Sequence, residues 1–455
     1  MTGPDRRNAP TLSRTFARTV AATDLHNFGP QPIAKLKLCL LDFLACAFEA
    51  HDLPASRQAR AIMPVCIDGA PVIGWDRHCP PGDAAFANGV AGHGLVREDM
   101  HAGAIAHLGV VVWPVLLALA APRPVSGAQF LHAALCGYEV GARLGRALFD
   151  SGLARLYRPT GIVGPIAGAF AGALLLGLEE DAVVAATGLG ANCSSGLNEW
   201  PATGASDMYF HPGHAARSAV CAVGLAAAGA DAAEAALDGD AGLFASFRRA
   251  PPASPVILFD RGVPEILAVY NKPAPACNFA QTACQAALAV ARAIENASEI
   301  ASLVIDLPEA AIRYPGCDFA GPFERALQGK MSIQFSVAAT LVRRRMEEAN
   351  YARLDDPAIL DLIRRTTLRR DPALTVAFPA KQGAKIEVIL ADGRRIGHGL
   401  DDVVPATEAE IRARFRDAAG VRMGPHRTAA IEALVDRADT IVDAGAIARC
   451  CRSVR

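Results

Sequence analysis

The chain has 455 residues, of which 52% are hydrophobic, with a mean hydropathy of +0.23, so material for a large buried core is abundant and the length points to two or three domains. Lys and Arg number 45 against 46 Asp and Glu, a formal net charge of −1. That balance excludes a basic field able to hold nucleic acid or an anionic membrane. Aromatic residues are only 6%, so the core must be built from Ala, Val, Leu and Ile, a composition that suits closely packed helices.

The N-terminal "MTGPDRRNAPTLSRTF" has no apolar segment and is not expected to be a signal peptide. From Thr11 to about Ala250 the signals are helical. Gln31 to Ala50 has a proline near its start and apolar residues at helical spacing. The stretch "HGLVREDMHAGAIAH" then gathers His93, Arg97, Glu98, Asp99, His101 and His107 between runs of Ala, Gly, Val and Leu. It reads as a solvated loop between two helices or as one wall of an acid–base pocket. Its histidine spacing matches no metal-ligand pattern, so no metal is expected.

Ser126 to Asp150 is a second helix with Ser126 as N-cap. In "LYRPTG", Arg158 precedes a proline and a glycine-rich helix; it is either a surface arginine at a helix start or a carboxylate grip. The uncharged run Gly161 to Gly177 falls short of the ~20 residues of a membrane span and is broken by glycines and Pro165. It is expected to be a buried helix that neighbours can approach closely. Glu180 to Leu189 and Gly213 to Ala230 continue the helical pattern. His211 and His214 sit at the start of this Gly/Ala-rich helix, as helix N-terminal donors for a carboxylate or enolate oxygen, or as capping and packing residues.

Four prolines in "RRAPPASPVILFDRGVPE" mark a boundary loop, and a mixed region follows. In "YNKPAPAC" two prolines fix the backbone around Lys272, an anion clamp or a solvated lysine. Gln281 to Asn296 reads as helix and Ala301 to Pro308 as strand. Ala384 to His398 reads as a hairpin turning at Asp392-Gly393. Thr407 to Glu410 is a capping box that opens a late helix. The fold expected is mainly α: a large helical domain over residues 1–263, an inserted smaller α+β lid over 264–395, and C-terminal helices over 396–455 returning to the helical domain. Twelve scattered cysteines without CxxC spacing are expected to be free thiols in a cytoplasmic protein. No GxGxxG follows a strand, and Walker, GxSxG and HExxH motifs are absent. Nucleotide-driven chemistry and standard hydrolase triads are therefore not expected.

In collinear order, "DFLACAFEA", "AAFANGVAGHGL", "HLGVVVWPVLLALA", "RPTGIVGPIAGAFAGALLLGL", "FHPGHAARSAV", "NKPAPAC" and "KMSIQFSVAATL" resemble segments of the MmgE/PrpD family. The resemblance runs from about Asp42 to Phe415. It implies a helical large domain, an α+β lid, a homodimer, no metal or cofactor, and a di- or tricarboxylic acid substrate. The family's activities include 2-methylcitrate dehydratase, cis-aconitate decarboxylase and iminodisuccinate epimerase, all turning on proton transfer at a carbon beside a carboxylate. Carried over position by position, the resemblance assigns His107 and His211 to acid–base catalysis and Lys272 to a carboxylate; Arg158 stands where the family has a histidine, and in place of proton shuttling it can grip a carboxylate bidentately. A family acid, threonine and lysine fall on Val96, Met100 and Met208, making the substrate-binding wall more apolar. Asp99 and His101 are the nearest substitutes for the lost acid. A dehydratase-like lyase or isomerase is thus expected, with a decarboxylase, an epimerase or a non-catalytic binding subunit on the same fold as alternatives. His107, His211 and Lys272 are expected to share one cavity.

Overall fold

The computed structural model describes residues 10–453. Helix α1 (Pro30–Glu49) starts with prolines in its first turn, where the missing N–H groups have no intrahelical partner to lose. The helices α2 (Pro81–His93), α3 (Gly109–Ala120), α4 (Gly127–Leu148), α5 (Pro159–Leu175), α6 (Glu180–Ala191) and α7 (Asp207–Ala227) follow. Ser126 caps α4 as its sequence predicts, accepting from the backbone N–H of Gln129.

The uncharged run forms α5, in which every residue except Leu174 is buried. A helix that is apolar all round belongs inside a core, and no described helix is long and apolar enough to cross a membrane. Gly164, Gly168 and Gly172 recur at one-turn spacing. A Cβ on Gly168 would lie 2.8 Å from the Ala219 side chain of α7 and 3.2 Å from Val115 of α3. Without it, both helices lie directly on α5.

A second glycine contact positions the site. A Cβ on Gly89 of α2 would lie 3.1 Å from the Cα of Gly213 on α7, and one on Gly213 would lie 2.7 Å from the Phe86 carbonyl. This contact brings the C-terminal end of α2, at His93, beside the first turns of α7. Gly213→Val should force the two helices apart and destabilise the fold by about 1–3 kcal/mol, the usual cost of overpacking. A thermal melt reads this as a lowered Tm; an unchanged Tm would mean that the contact is not tight.

The sequence placed the start of α7 after Pro212. The helix instead begins at Asp207 and runs through Pro212, forgoing one i→i−4 hydrogen bond. His211 and His214 are therefore within the helix and not ahead of it.

Two short strands, β1 (Met100–His101) and β2 (Val269–Tyr270), pair antiparallel with Met100 opposite Tyr270. Beyond them, α8 (Gln281–Ala293), α9 (Ala326–Met331) and α10 (Ile333–Arg343) pack with a four-stranded sheet. Its strands are β3 (Ile300–Leu307), β4 (Thr366–Arg370), β5 (Ala384–Leu390) and β6 (Arg395–Leu400), in the order β4-β3-β5-β6. β3 pairs parallel with β4, Leu303 opposite Thr366, and antiparallel with β5, Val304 opposite Glu387. β5 and β6 form the hairpin read from Asp392-Gly393. Ala384, Ile386, Val388 and Leu390 alternate inward along β5, the period of a half-buried strand. The capping box is reciprocal at the start of α11 (Glu408–Asp436), with Thr407 and Glu410 each accepting from the other's backbone N–H.

The apolar interior forms two main clusters. The larger joins α1 to α7 with Ile411, Phe415, Ile431 and Val435 of α11 and with Ile447 beyond it. The smaller spans Ala274 to Leu390 and also takes in Val96, Trp200 and Met208 from the N-terminal half. Those three residues mark where the clusters meet. All twelve cysteines are free.

Candidate active site

The site is built on the loop that leaves α2. The chain turns sharply at Val96, whose φ of 58° is left-handed, an unusual conformation for a β-branched residue. That turn presents the Val96 carbonyl to the Lys272 ammonium, which donates to it. Lys330, at the end of α9, donates to the Gly94 carbonyl of the same loop at 3.0 Å and pairs with Glu348 at 2.9 Å. Two fully buried lysines from the C-terminal half thus hold one loop of the N-terminal half. Arg414 of α11 in turn binds the carbonyls of Lys272 and Pro273, at 3.1 and 2.6 Å.

Within this loop Glu98 bridges two imidazoles. Its Oε1 is 2.5 Å from His93 Nδ1 and 2.9 Å from His107 Nδ1. The ring centroids of the two histidines are 5.3 Å apart. His107 Nδ1 also lies 2.9 Å from the Asp99 carbonyl. Burial pushes the Glu98 carboxyl up, but the two imidazoles more than reverse this and hold it well below the usual carboxylate range. The tautomer of His93 follows from its other side. Arg158 Nη2, which can only donate, lies 3.1 Å from His93 Nε2, so Nε2 accepts and the proton sits on Nδ1. Burial pushes His93 down to about 4 and keeps it neutral, against the pull of Glu98. His107 is also lowered by burial, with Glu98 opposing. Its Nδ1 faces two oxygens, which fixes the proton there. Its Nε2 has no hydrogen-bond partner among the described residues, leaving one open lone pair on an oriented imidazole.

Two cations stand beside this pair. Lys272 is 0% exposed, and burial pushes it down to about 8, with Glu98 opposing. Arg158, the residue before α5, is 8% exposed and lowered by burial. Its guanidinium carbon lies 5.1 Å from the centre of the Trp200 ring, and its Nη2 is 4.0 Å from Met208 Sδ. Among the described residues neither cation has a carboxylate within ion-pairing distance. A buried charge without a counter-ion is costly, so the arrangement suits an anion. Several buried polar atoms are also unpartnered here: Glu98 Oε2, Arg158 Nε, Trp200 Nε1 and His211 Nδ1.

Of the residues singled out from the sequence, His107, Lys272, Arg158, Val96 and Met208 come together in this cluster. His211, on α7, stands at its edge. Its Nδ1 and the Arg158 Cβ both border the space above Gly196, at 3.5 and 3.2 Å from where a Cβ there would sit. Asp99 and His101 do not enter. The Asp99 carboxylate turns to the Gly109 N–H, at 3.2 Å, and to the Tyr138 hydroxyl. His101 is held by Glu265 at 2.8 Å and by the Ala104 N–H at 3.0 Å. Met100 is buried, and its backbone pairs with Tyr270. The acid at the site is Glu98, one position earlier, and its partner His93 closes α2. Both lie in the stretch read as one wall of an acid–base pocket, though the resemblance assigns neither a specific role. Lys330 and Trp200 were missed as well; only the quoted "KMSIQF" segment contained a signal for the former. Among the described residues no group of His, Cys, Asp and Glu is placed to hold a metal ion. Two surface grooves, between α1 and α11 and along β5–β6, contain none of the site residues.

Residues 14–255 match the MmgE/PrpD N-terminal domain and residues 274–440 the MmgE/PrpD C-terminal domain. The chain is 25% identical over 443 residues to a cis-aconitate decarboxylase of Aspergillus terreus, covering 90% of each chain. It is 23% identical over 471 residues to the cis-aconitate decarboxylase of Mus musculus, covering 96% of this chain and 93% of the relative. A cis-aconitate decarboxylase-like protein of Aspergillus oryzae is 33% identical over 175 residues, 36% of each chain. Matched over both halves, with a helical body and a smaller α+β part, the chain belongs to the MmgE/PrpD family.

Proposed function

We propose that this protein is a lyase of a small di- or tricarboxylic acid, needing no cofactor and working by proton transfer at a carbon beside a carboxylate. The observation that supports it most is the open Nε2 of His107 next to two buried, unpaired cations, Arg158 and Lys272. The names of the relatives favour decarboxylation over the dehydration expected first. In that reaction the electrons of the broken C–C bond pass toward a retained carboxylate. Lys272 and Arg158 balance that charge as it develops, and carbon dioxide leaves. His107, which takes up a proton from solvent at Nε2 for this step, gives it to carbon and returns to its neutral form, while Glu98 holds the transient imidazolium. Dehydration and epimerisation use the same groups in the removing direction. The homodimer and the cytoplasmic location belong to the same proposal; they rest on the family resemblance and on the free thiols.

The second reading is a binding subunit without catalysis, favoured by the apolar wall of Val96, Trp200 and Met208. Product analysis separates the two. Incubation with cis-aconitate, citrate and related di- and tricarboxylates should yield a product one carboxylate shorter. Loss of water instead would identify a dehydratase, and binding with no chemical change would support the binding subunit.

The pH profile gives a further check. Lys272 is charged below about 8 and loses its charge as pH rises through that value. Since kcat/KM reports the free enzyme, it should fall on an alkaline limb near pH 8. A flat profile to pH 10 would remove Lys272 from the anion clamp.

A further inference from the structure

Beyond the Glu98 bridge, Arg158 is surrounded by polar groups that have nothing to bind. Trp200 is 3% exposed, and its indole N–H has no partner. Arg158 Nε, more than nine-tenths buried, is equally unpartnered. His211 Nδ1 is the third such atom, and it lies with Arg158 Cβ around Gly196, 3.5 and 3.2 Å from where a Cβ there would sit. Arg158 and Trp200 are N–H donors only, and a neutral histidine can present a proton on Nδ1. Burial followed by the Arg158 charge pushes His211 down to about 4, so it is neutral at ordinary pH. A buried donor without an acceptor loses its full hydration, typically ~1–3 kcal/mol each. Two beside Arg158, together with its own Nε, are a standing demand for an acceptor with several lone pairs. On the other flank, Met208 Sδ lies 4.0 Å from Arg158 Nη2, and Met208 and Val96 share the apolar cluster that Trp200 joins.

We infer that Trp200 is a specificity-determining residue: with Arg158 Nε and His211 Nδ1, its indole N–H forms a second carboxylate subsite, adjoining the one that Lys272 serves and sharing Arg158 with it. The ligand it takes is the far carboxylate of a diacid whose aliphatic part lies against Met208 and Val96. A monoacid fills only one of the two subsites. The inference rests on the reading of the site as a carboxylate site and adds the requirement for two carboxylates held apart. Asp207, 3.9 Å from His211 Nε2 and largely exposed, lies on the far side of that imidazole from the subsite.

The test compares diacids with their monoamides, which keep size and lose one charge. Dissociation constants of succinate, succinamate, glutarate and glutaramate are measured by calorimetry on the full chain and on Trp200→Phe, which keeps an aromatic ring under Arg158, removes the N–H and shortens the side chain by one ring. In the unaltered protein, at least one diacid should bind ten-fold or more tightly than its monoamide, the scale of a hydrogen bond to a charged group. In Trp200→Phe that ratio should fall to about three or less. Because each ratio is taken within one protein, partial unfolding of the variant cancels. A ratio that survives unchanged in Trp200→Phe overturns the role of Trp200 while leaving the carboxylate site standing. Equal binding of diacid and monoamide to the unaltered protein overturns the second subsite. No binding of any of the four acids overturns both the subsite and the carboxylate reading.

Discussion

His107→Asn should lower turnover at least ~100-fold, a typical loss for a general acid or base, with little change in folding. The asparagine amide can still donate from roughly the position of Nδ1 to Glu98 and the Asp99 carbonyl. The His107 backbone N–H keeps its 3.0 Å bond to Thr160 Oγ1. What disappears is Nε2, the open nitrogen of the His93–Glu98–His107 array. His93 cannot replace it, since its Nε2 already accepts from Arg158. Steady-state kinetics beside a thermal melt gives the result. A variant that melts normally and turns over at more than a tenth of the normal rate would remove His107 from the chemistry.

Arg158→Met should weaken binding while leaving stability nearly unchanged. The guanidinium is buried, without a carboxylate partner, and lowered by its burial. Removing such a charge relieves its desolvation but leaves His93 Nε2 without its donor, so the unliganded protein should be about as stable as before. The same change removes hydrogen bonds to a charged ligand, worth ~1.5–3 kcal/mol each, and should weaken carboxylate binding by ~10- to 150-fold. Ligand-induced shifts in Tm report both quantities in one experiment. A variant that is strongly destabilised but binds normally would make Arg158 a structural residue.

Much of this architecture can be read in the sequence because the relevant physics is local. The Gly161–Gly177 run has no charge to place in solvent, so it must be buried. Thr407 and Glu410 satisfy each other's N–H groups three residues apart, and Asp392-Gly393 turns a hairpin between alternating apolar residues. The site was legible only as a neighbourhood. Which carboxylate of Glu98 and Asp99 faces the histidines depends on the left-handed turn at Val96, and that turn is held by Lys272 from far along the chain. The fate of His101 depends on Glu265, 164 positions away. His211 was misplaced because Pro212 looks like a helix boundary, whereas packing on α2 and α5 stabilises α7 through it. Lys330 binds a carbonyl 236 positions earlier, a partnership that no local pattern records.

The central claim is that His107 moves a proton at a carbon beside a carboxylate held by Arg158 and Lys272. Solvent isotope incorporation tests it most directly. The protein, His107→Asn and Arg158→Met are each incubated in deuterated buffer with the di- and tricarboxylate panel, and deuterium on carbon is followed by NMR. The unaltered protein should place deuterium on the carbon next to a retained carboxylate. His107→Asn should do so at least ~100-fold more slowly at saturating substrate, and Arg158→Met should be slower at saturation and lose the reaction most at low substrate. Binding without incorporation in the unaltered protein, or incorporation by His107→Asn at the normal rate, would contradict the account.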